Sequence, residues 1–223
     1  MIVAGGLRLA YRVWGSPEAP PLVLLHGLGE GAADWDGVGP AFGLGHRVYA
    51  PDLRGHGRSD WPGDYSVELM AADVIGFLDA LRLDRVDLIG HSMGGLVGYL
   101  LAGDHPERVR RLVLEDVAVL RPRERPAPER EPGELPYDWP MVLAVRRQID
   151  NPDPAWLDRP GRITAATLVI GGGASSHVPQ SWVADLAELI PGAEVETIDA
   201  GHSIHTAAPD AFARAALAFL GRA

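Results

Sequence analysis

The chain has 223 residues, a formal net charge of −10 and 47% hydrophobic residues; it has no cysteine, and all 20 basic residues are arginine. No cysteine means no disulfide framework, thiolate nucleophile or thiolate metal site, and no lysine means no Schiff base and no lysine-bearing phosphate loop. The acidic balance excludes a phosphate-neutralising basic stripe, so neither nucleic acid nor an anionic membrane is expected as a partner.

The length suits one domain, alone or with a small insert. No apolar run reaches membrane-spanning length, and the start MIVAGGLRLAYRVWG lacks a charged and then apolar leader pattern. The expectation is a soluble, cytoplasmic protein. In chain order, Leu7–Trp14 alternates apolar and polar residues and predicts a strand. Leu22–Leu25 is an apolar run of buried-strand length, closed by His26-Gly27, and Arg47–Ala50 is a second, ending at Pro51-Asp52. Apolar residues at helical spacing predict a helix over Val67–Leu81 with Ser66 as N-cap. Val86–Ile89 predicts a buried strand and Leu96–Ala102 a helix that stops near His105-Pro106. Further strands are expected at Leu112–Leu114, Leu168–Ile170 and Val195–Ile198, and helices at Val183–Leu189 and Phe212–Leu220. Short apolar strands alternating with helices imply a parallel sheet covered on both faces. Arg121–Glu134, rich in proline and charge, reads as a solvated loop. It lies in a longer stretch, about 117–162, with a short helix expected at Met141–Ile149.

Gly90-His91-Ser92-Met93-Gly94 fits G-x-S-x-G between a buried strand and a helix. Glycines on both sides let the chain turn tightly, and the serine at the apex projects its hydroxyl above the sheet, in front of a helix N-terminus. Ser92 is the candidate nucleophile. His26-Gly27-Leu28-Gly29 follows an earlier strand, and the backbone N–H groups of Leu28 and Met93 are the candidate donors to an oxyanion. His202 follows the last strand, late in the chain as this architecture requires, and is the candidate base. His202 and His205 lack a third ligand at recognisable spacing, so no metal is expected. His56 and His91 are expected to be structural.

The chain resembles the α/β-hydrolase superfamily over nearly its whole length. The resemblance is carried by HGLG at 26–29, DLRGHGRSD at 52–60, GHSMGG at 90–95, HPERVRRLVLED at 105–116 and AGHSIH at 200–205. It implies an α/β fold with a mostly parallel eight-stranded sheet and helices on both faces, a Ser–His–acid triad, and a cap inserted after the sixth strand. The core would be residues 1–116 and 163–223, with 117–162 a small cap over an open cleft. The usual acid position of the family, after the seventh strand, falls on Ser175, and no Asp or Glu occurs between Ile163 and Val183. Relatives that carry the acid after the sixth strand place it 24 residues beyond the nucleophile, which here is Asp116. Glu115 is the alternative acid, because neighbours on a strand face opposite ways and only one can meet His202. Asp199 is a further candidate but would have to double back.

Serine at position 92 argues against dehalogenase and epoxide hydrolase reactions, which in this superfamily use a carboxylate there. The resemblance therefore implies a serine hydrolase, without cofactor, that cleaves a small-molecule carboxylic ester or related acyl bond through an acyl-Ser92 intermediate. Carbon–carbon hydrolase and lactonase reactions share the constellation. The rival from another class is a non-hydrolytic ligand-binding protein on the same scaffold. Trp35, Tyr137, Trp139, Met141 and Trp156 are the candidates, with Leu28 and Met93, for an apolar pocket lining.

Overall fold

The computed structural model describes residues 1–222. Strands β1 (Ile2–Ala4) and β2 (Leu7–Leu9) form a separate antiparallel hairpin. The main sheet holds β3 (Tyr11–Trp14), β4 (Pro21–Leu25), β5 (Arg47–Pro51), β6 (Val86–His91), β7 (Val109–Glu115), β8 (Ala166–Gly171) and β9 (Glu194–Thr197). Their order is β3-β5-β4-β6-β7-β8-β9, parallel throughout except for β3.

Seven strands, not eight, make up this sheet. The single strand expected over Leu7–Trp14 is interrupted at Ala10. Gly5 and Gly6, both left-handed (φ +56° and +90°), fold β1 back onto β2, so the first half of that segment pairs with its own neighbour. The Ala10 N–H then donates to Ser59 Oγ and its carbonyl accepts from Asp52, which turns the chain into β3.

The central strands are buried on both faces yet still alternate. In β4, Leu22 and Leu24 join one apolar cluster, while Val23 and Leu25 join the cluster on the opposite face. Leu88 and Ile89 in β6, and Leu112 and Val113 in β7, divide the same way. The face of Val23, Leu25, Leu88 and Leu112 carries α2 (Val67–Ala80) and α3 (Ser92–Asp104); the face of Leu22, Leu24, Ile89 and Val113 carries α1 (Gly39–Phe42) and α7 (Pro209–Leu220). α2 starts where predicted, with Ser66 Oγ accepting the Leu69 N–H at 3.1 Å. α5 (Gln180–Leu189) follows β8, and α6 (Ile204–Ala207) precedes α7.

Residues 117–162 lie within the connection from β7 to β8. Arg121–Glu134 has no regular secondary structure, as expected, and α4 (Trp139–Asp150) begins two residues before the predicted helix. The segment is stitched to the core. Gln148 accepts the Val67 N–H at 2.9 Å, Trp156 Nε1 donates to Glu68 at 2.9 Å, and Gly57 donates to the Pro136 carbonyl at 2.7 Å. Among the described residues no helix is long and apolar enough to cross a membrane.

Candidate active site

The site is assembled at the carboxyl ends of β4, β6, β7, β8 and β9, where the strands release the chain into loops. Between β6 and α3 the turn is as tight as the glycine pattern predicts. A Cβ on Gly94 would lie 2.3 Å from the Leu25 carbonyl oxygen, and one on Gly90 would lie 2.5 Å from the Gly94 carbonyl oxygen. Ser92 at the apex is left-handed, with φ +51°. Such a conformation costs a non-glycine residue on the order of 1–3 kcal/mol and persists only where its surroundings fix it.

His202 lies across from this turn. Its Nε2 is 2.9 Å from Ser92 Oγ, and its Nδ1 is 2.7 Å from Asp116 Oδ2. Asp116, the first residue after β7, is also left-handed (φ +49°). Its amide still donates to Ile170 O at 2.7 Å, as though the ladder with β8 continued, while its side chain turns into the site. The buried carboxylate accepts from His202, Ser176 Oγ, Gln180 Nε2 (3.1 Å) and the Gly172 N–H (2.8 Å). Burial alone would raise its pKa. These four donors outweigh burial and bring it below the usual aspartate value.

Glu115 and Asp199 go elsewhere. Glu115 is fully buried and accepts from both the backbone N–H and Nδ1 of His205, each at 2.8 Å. Asp199 accepts the Ser175 N–H at 3.0 Å. His205 Nε2 lies 2.8 Å from Asp34, and its ring stacks on Trp35 with centroids 4.3 Å apart. Burial opposes a charge on this ring, but hydrogen bonds to Asp34 and Glu115 raise its pKa to about 10, so it is an imidazolium at neutral pH. His91 Nδ1 pairs with Glu30 and its Nε2 donates to the His202 carbonyl, both at 3.1 Å. Asp34, His91 and His205 bring ligand atoms within 4.8 Å of one another. A metal there would have to displace protons from a histidine already held by two carboxylates.

The turn after β4 is braced from both sides of Leu28. Gly27 donates to Glu30 Oε2 at 2.7 Å, and Gly29 donates to His56 Nε2 at 3.2 Å. His56 in turn donates from Nδ1 to the Arg54 carbonyl at 3.0 Å. Burial first, and then the nearby His26, lower its pKa to about 3, so it is a neutral acceptor for the Gly29 amide.

A cavity of about 270 Å³ opens over Ser92 and His202, and Leu28, Met93 and Asp116 line it as well. None of the five other predicted lining residues does. Trp35 is fully buried beneath His205, Met141 is core, and Trp156 is buried with its indole on Glu68. Tyr137 packs over Gly29, and Tyr137 and Trp139 border a separate depression beside Trp61. The wall is instead built by Leu96, Ile149, Val178 and Trp182, with His177 and three arginines. Size and apolarity serve core packing and pocket lining equally well, so these traits in the sequence did not separate the two sets.

The family model described as "alpha/beta hydrolase fold" matches residues 20–158, more than half of the chain. The 3-hydroxybutyrate-oligomer hydrolase of Cupriavidus necator is 42% identical over 118 residues, which are 51% of this chain and 40% of that protein. The chain spans less than half the length of this and similar curated relatives. An enol-lactonase from Burkholderia xenovorans has a similar structure, with a TM-score of 0.87 at 25% identity over 99% of both chains. A hydrolase from Pseudomonas aeruginosa gives a TM-score of 0.85 at 30% identity, covering 100% of this chain and 97% of its own.

Proposed function

Since the chain belongs to the alpha/beta hydrolase fold family, we propose that it is a serine hydrolase that cleaves a carboxylic ester or related acyl bond. The observation that carries this is the continuous chain from Ser92 Oγ through His202 to Asp116, with links of 2.9 and 2.7 Å, at the floor of a cavity.

In the proposed reaction Ser92 Oγ attacks the acyl carbon as His202 Nε2 takes its proton. Asp116 holds the Nδ1–H, which fixes the tautomer that accepts at Nε2 and stabilises the imidazolium once formed. Negative charge develops on the acyl oxygen, which is met by the N–H groups of Met93, at the N-terminus of α3, and of Leu28, in the turn after β4. A donor of this kind is worth about 10²–10³ in rate. His202 then protonates the leaving oxygen, and water repeats the sequence on acyl-Ser92 to release the acid. Residues 117–162 serve as a small cap on a core of 1–116 and 163–223. The enol-lactonase likeness over 99% of both chains favours a lactone as a second substrate form. It needs no new chemistry, since the leaving alcohol merely stays tethered to the acyl group.

The test is labelling by a fluorophosphonate together with hydrolysis of p-nitrophenyl esters of graded acyl length. Ser92 is expected to be labelled, and Ser92→Ala to abolish both labelling and turnover. A wild-type chain that turns over no ester or lactone, with Ser92 unlabelled, would overturn the proposal in favour of a binding protein.

A further inference from the structure

Three guanidiniums line the cavity over Ser92. Arg123 and Arg125 come from the stretch after β7, and Arg146 comes from α4. All three approach one carboxylate, that of Asp150, at 3.1, 2.8 and 3.5 Å. Asp150 is not itself part of the cavity wall, and the carboxylates that are on it are engaged: Glu30 with His91, and Asp116 with His202. The arginine cluster therefore holds three positive charges against one negative.

These side chains are not freely solvated. Their side-chain exposures are 26%, 32% and 24%, and Arg146 Nε is a buried donor with no hydrogen-bond partner. Partly desolvated like charges that share one counter-ion repel one another, and a buried unmade hydrogen bond carries its own cost. The crowding of positive charge is relieved by a second anion. Burial first, and then the Arg125 charge, lower the pKa of Arg123, as such crowding requires. The Arg123 guanidinium also lies over the Trp182 ring, 5.7 Å from its centroid, so one side of the cluster is held against an aromatic face of the same cavity.

We propose that Arg123, Arg125 and Arg146 form an anion subsite that binds a carboxylate carried by the substrate at a distance from the bond Ser92 attacks. The planar guanidinium fork matches a carboxylate in two parallel hydrogen bonds, which fixes orientation as well as charge. A cavity of about 270 Å³ suits a short chain. Leu96 and Ile149 supply apolar surface for the carbons between the two ends. The proposal rests on the acyl-transfer reading of Ser92 and narrows its substrates to esters or lactones of acids that keep a second, free carboxylate.

The test compares p-nitrophenyl hydrogen glutarate with the same ester methylated at its free carboxylate. A charge-assisted contact predicts a preference in kcat/KM for the acid form on the order of 10–100-fold, falling as salt is raised. Arg125→Gln and Arg146→Gln are expected to bring this ratio toward one, and Arg146→Lys to give a value in between. Binding of glutarate itself, followed by calorimetry on the wild-type protein, supplies a readout independent of turnover. Glutarate binding that weakens in Arg146→Gln sustains the subsite even if neither ester is hydrolysed, an outcome that would remove only the catalytic proposal. Equal, Ser92-dependent rates on both esters would remove the subsite and leave the hydrolase standing. So would undetectable glutarate binding, or a ratio unmoved by the arginine variants.

Discussion

Glu115 and Asp116 are consecutive residues, and each meets a histidine from the segment after β9, His205 in α6 and His202 just before it. The two pairs have the same chemistry and opposite surroundings. His205 is sealed, with no side-chain exposure and a carboxylate at each ring nitrogen. His202 is 22% exposed and has a carboxylate at Nδ1 but a hydroxyl at Nε2. A ring clamped between two anions stays protonated and cannot shuttle a proton at neutral pH. A ring with one anion behind it and a neutral hydroxyl in front can take a proton and return it. What lies at the second nitrogen thus divides the proposed roles between a proton relay and a structural cation. The strand register makes this division possible, since β7 ends at Glu115 and the left-handed Asp116 carries its side chain to the other side.

The comparison breaks most sharply under exchange of each acid for its amide. Asp116→Asn retains shape but no longer imposes the tautomer of His202, so hydrolysis should fall about 10⁴-fold while the melting temperature moves little. Glu115→Gln should do the reverse. Removing one partner of a buried ion pair costs about 3–5 kcal/mol, here tempered by the remaining bond from His205 to Asp34. The folded protein should keep most of its turnover. Steady-state kinetics and thermal unfolding of both variants check this, and interchanged phenotypes would reverse the proposed roles.

Raising the pH sharpens the same contrast. The His205 pKa is near 10 in the folded protein, against 6.5 for an unperturbed histidine. Its contribution to stability is therefore fully present below pH 6.5 and is lost as pH rises from there through 10. His91 is raised as well; burial opposes its charge, but Glu115 and Glu30 outweigh it, so it adds in the same sense. Melting temperatures should decline between pH 6.5 and 10, and His205→Gln should lessen the decline without abolishing it. Parallel curves for the two proteins would show that His205 is not the titrating cation.

The parts of this arrangement differ in how far the sequence reveals them. Ser92 is legible because a turn this tight admits only glycine at 90 and 94, and sequence records such demands directly. The buried strands are legible because runs such as Leu22–Leu25 are too short for helices. Asp116 is reached by its register relative to Ser92 in a resembling family, while its four hydrogen-bond donors come from residues up to 86 positions away. The Asp34–His205–Glu115 cluster joins residues from three distant parts of the chain, so no local pattern announces it. The same holds for the cavity wall. Trp35 and Trp182 are the same residue type, yet one is packed beneath His205 and the other faces the cavity. The strand expected over Leu7–Trp14 is split for a local reason, since Gly5-Gly6 permits a reversal that alternation alone does not register.

The smallest expected effect separates two neighbouring serines. The usual acid position of the family falls on Ser175, which is exposed and gives only its backbone N–H to Asp199. The hydroxyl that reaches the Asp116 carboxylate belongs to Ser176, which donates to Oδ2, the same oxygen that meets His202. Ser176→Ala should therefore lower kcat/KM by roughly threefold to tenfold, since one charge-assisted hydrogen bond is lost while those from Gly172 and Gln180 remain. Ser175→Ala should stay within about twofold, as expected of an exposed side chain away from the reacting groups. If Ser175→Ala had the larger effect, the position after β8 would still take part in orienting His202, and the contrast between the two acid–histidine pairs would have to include it.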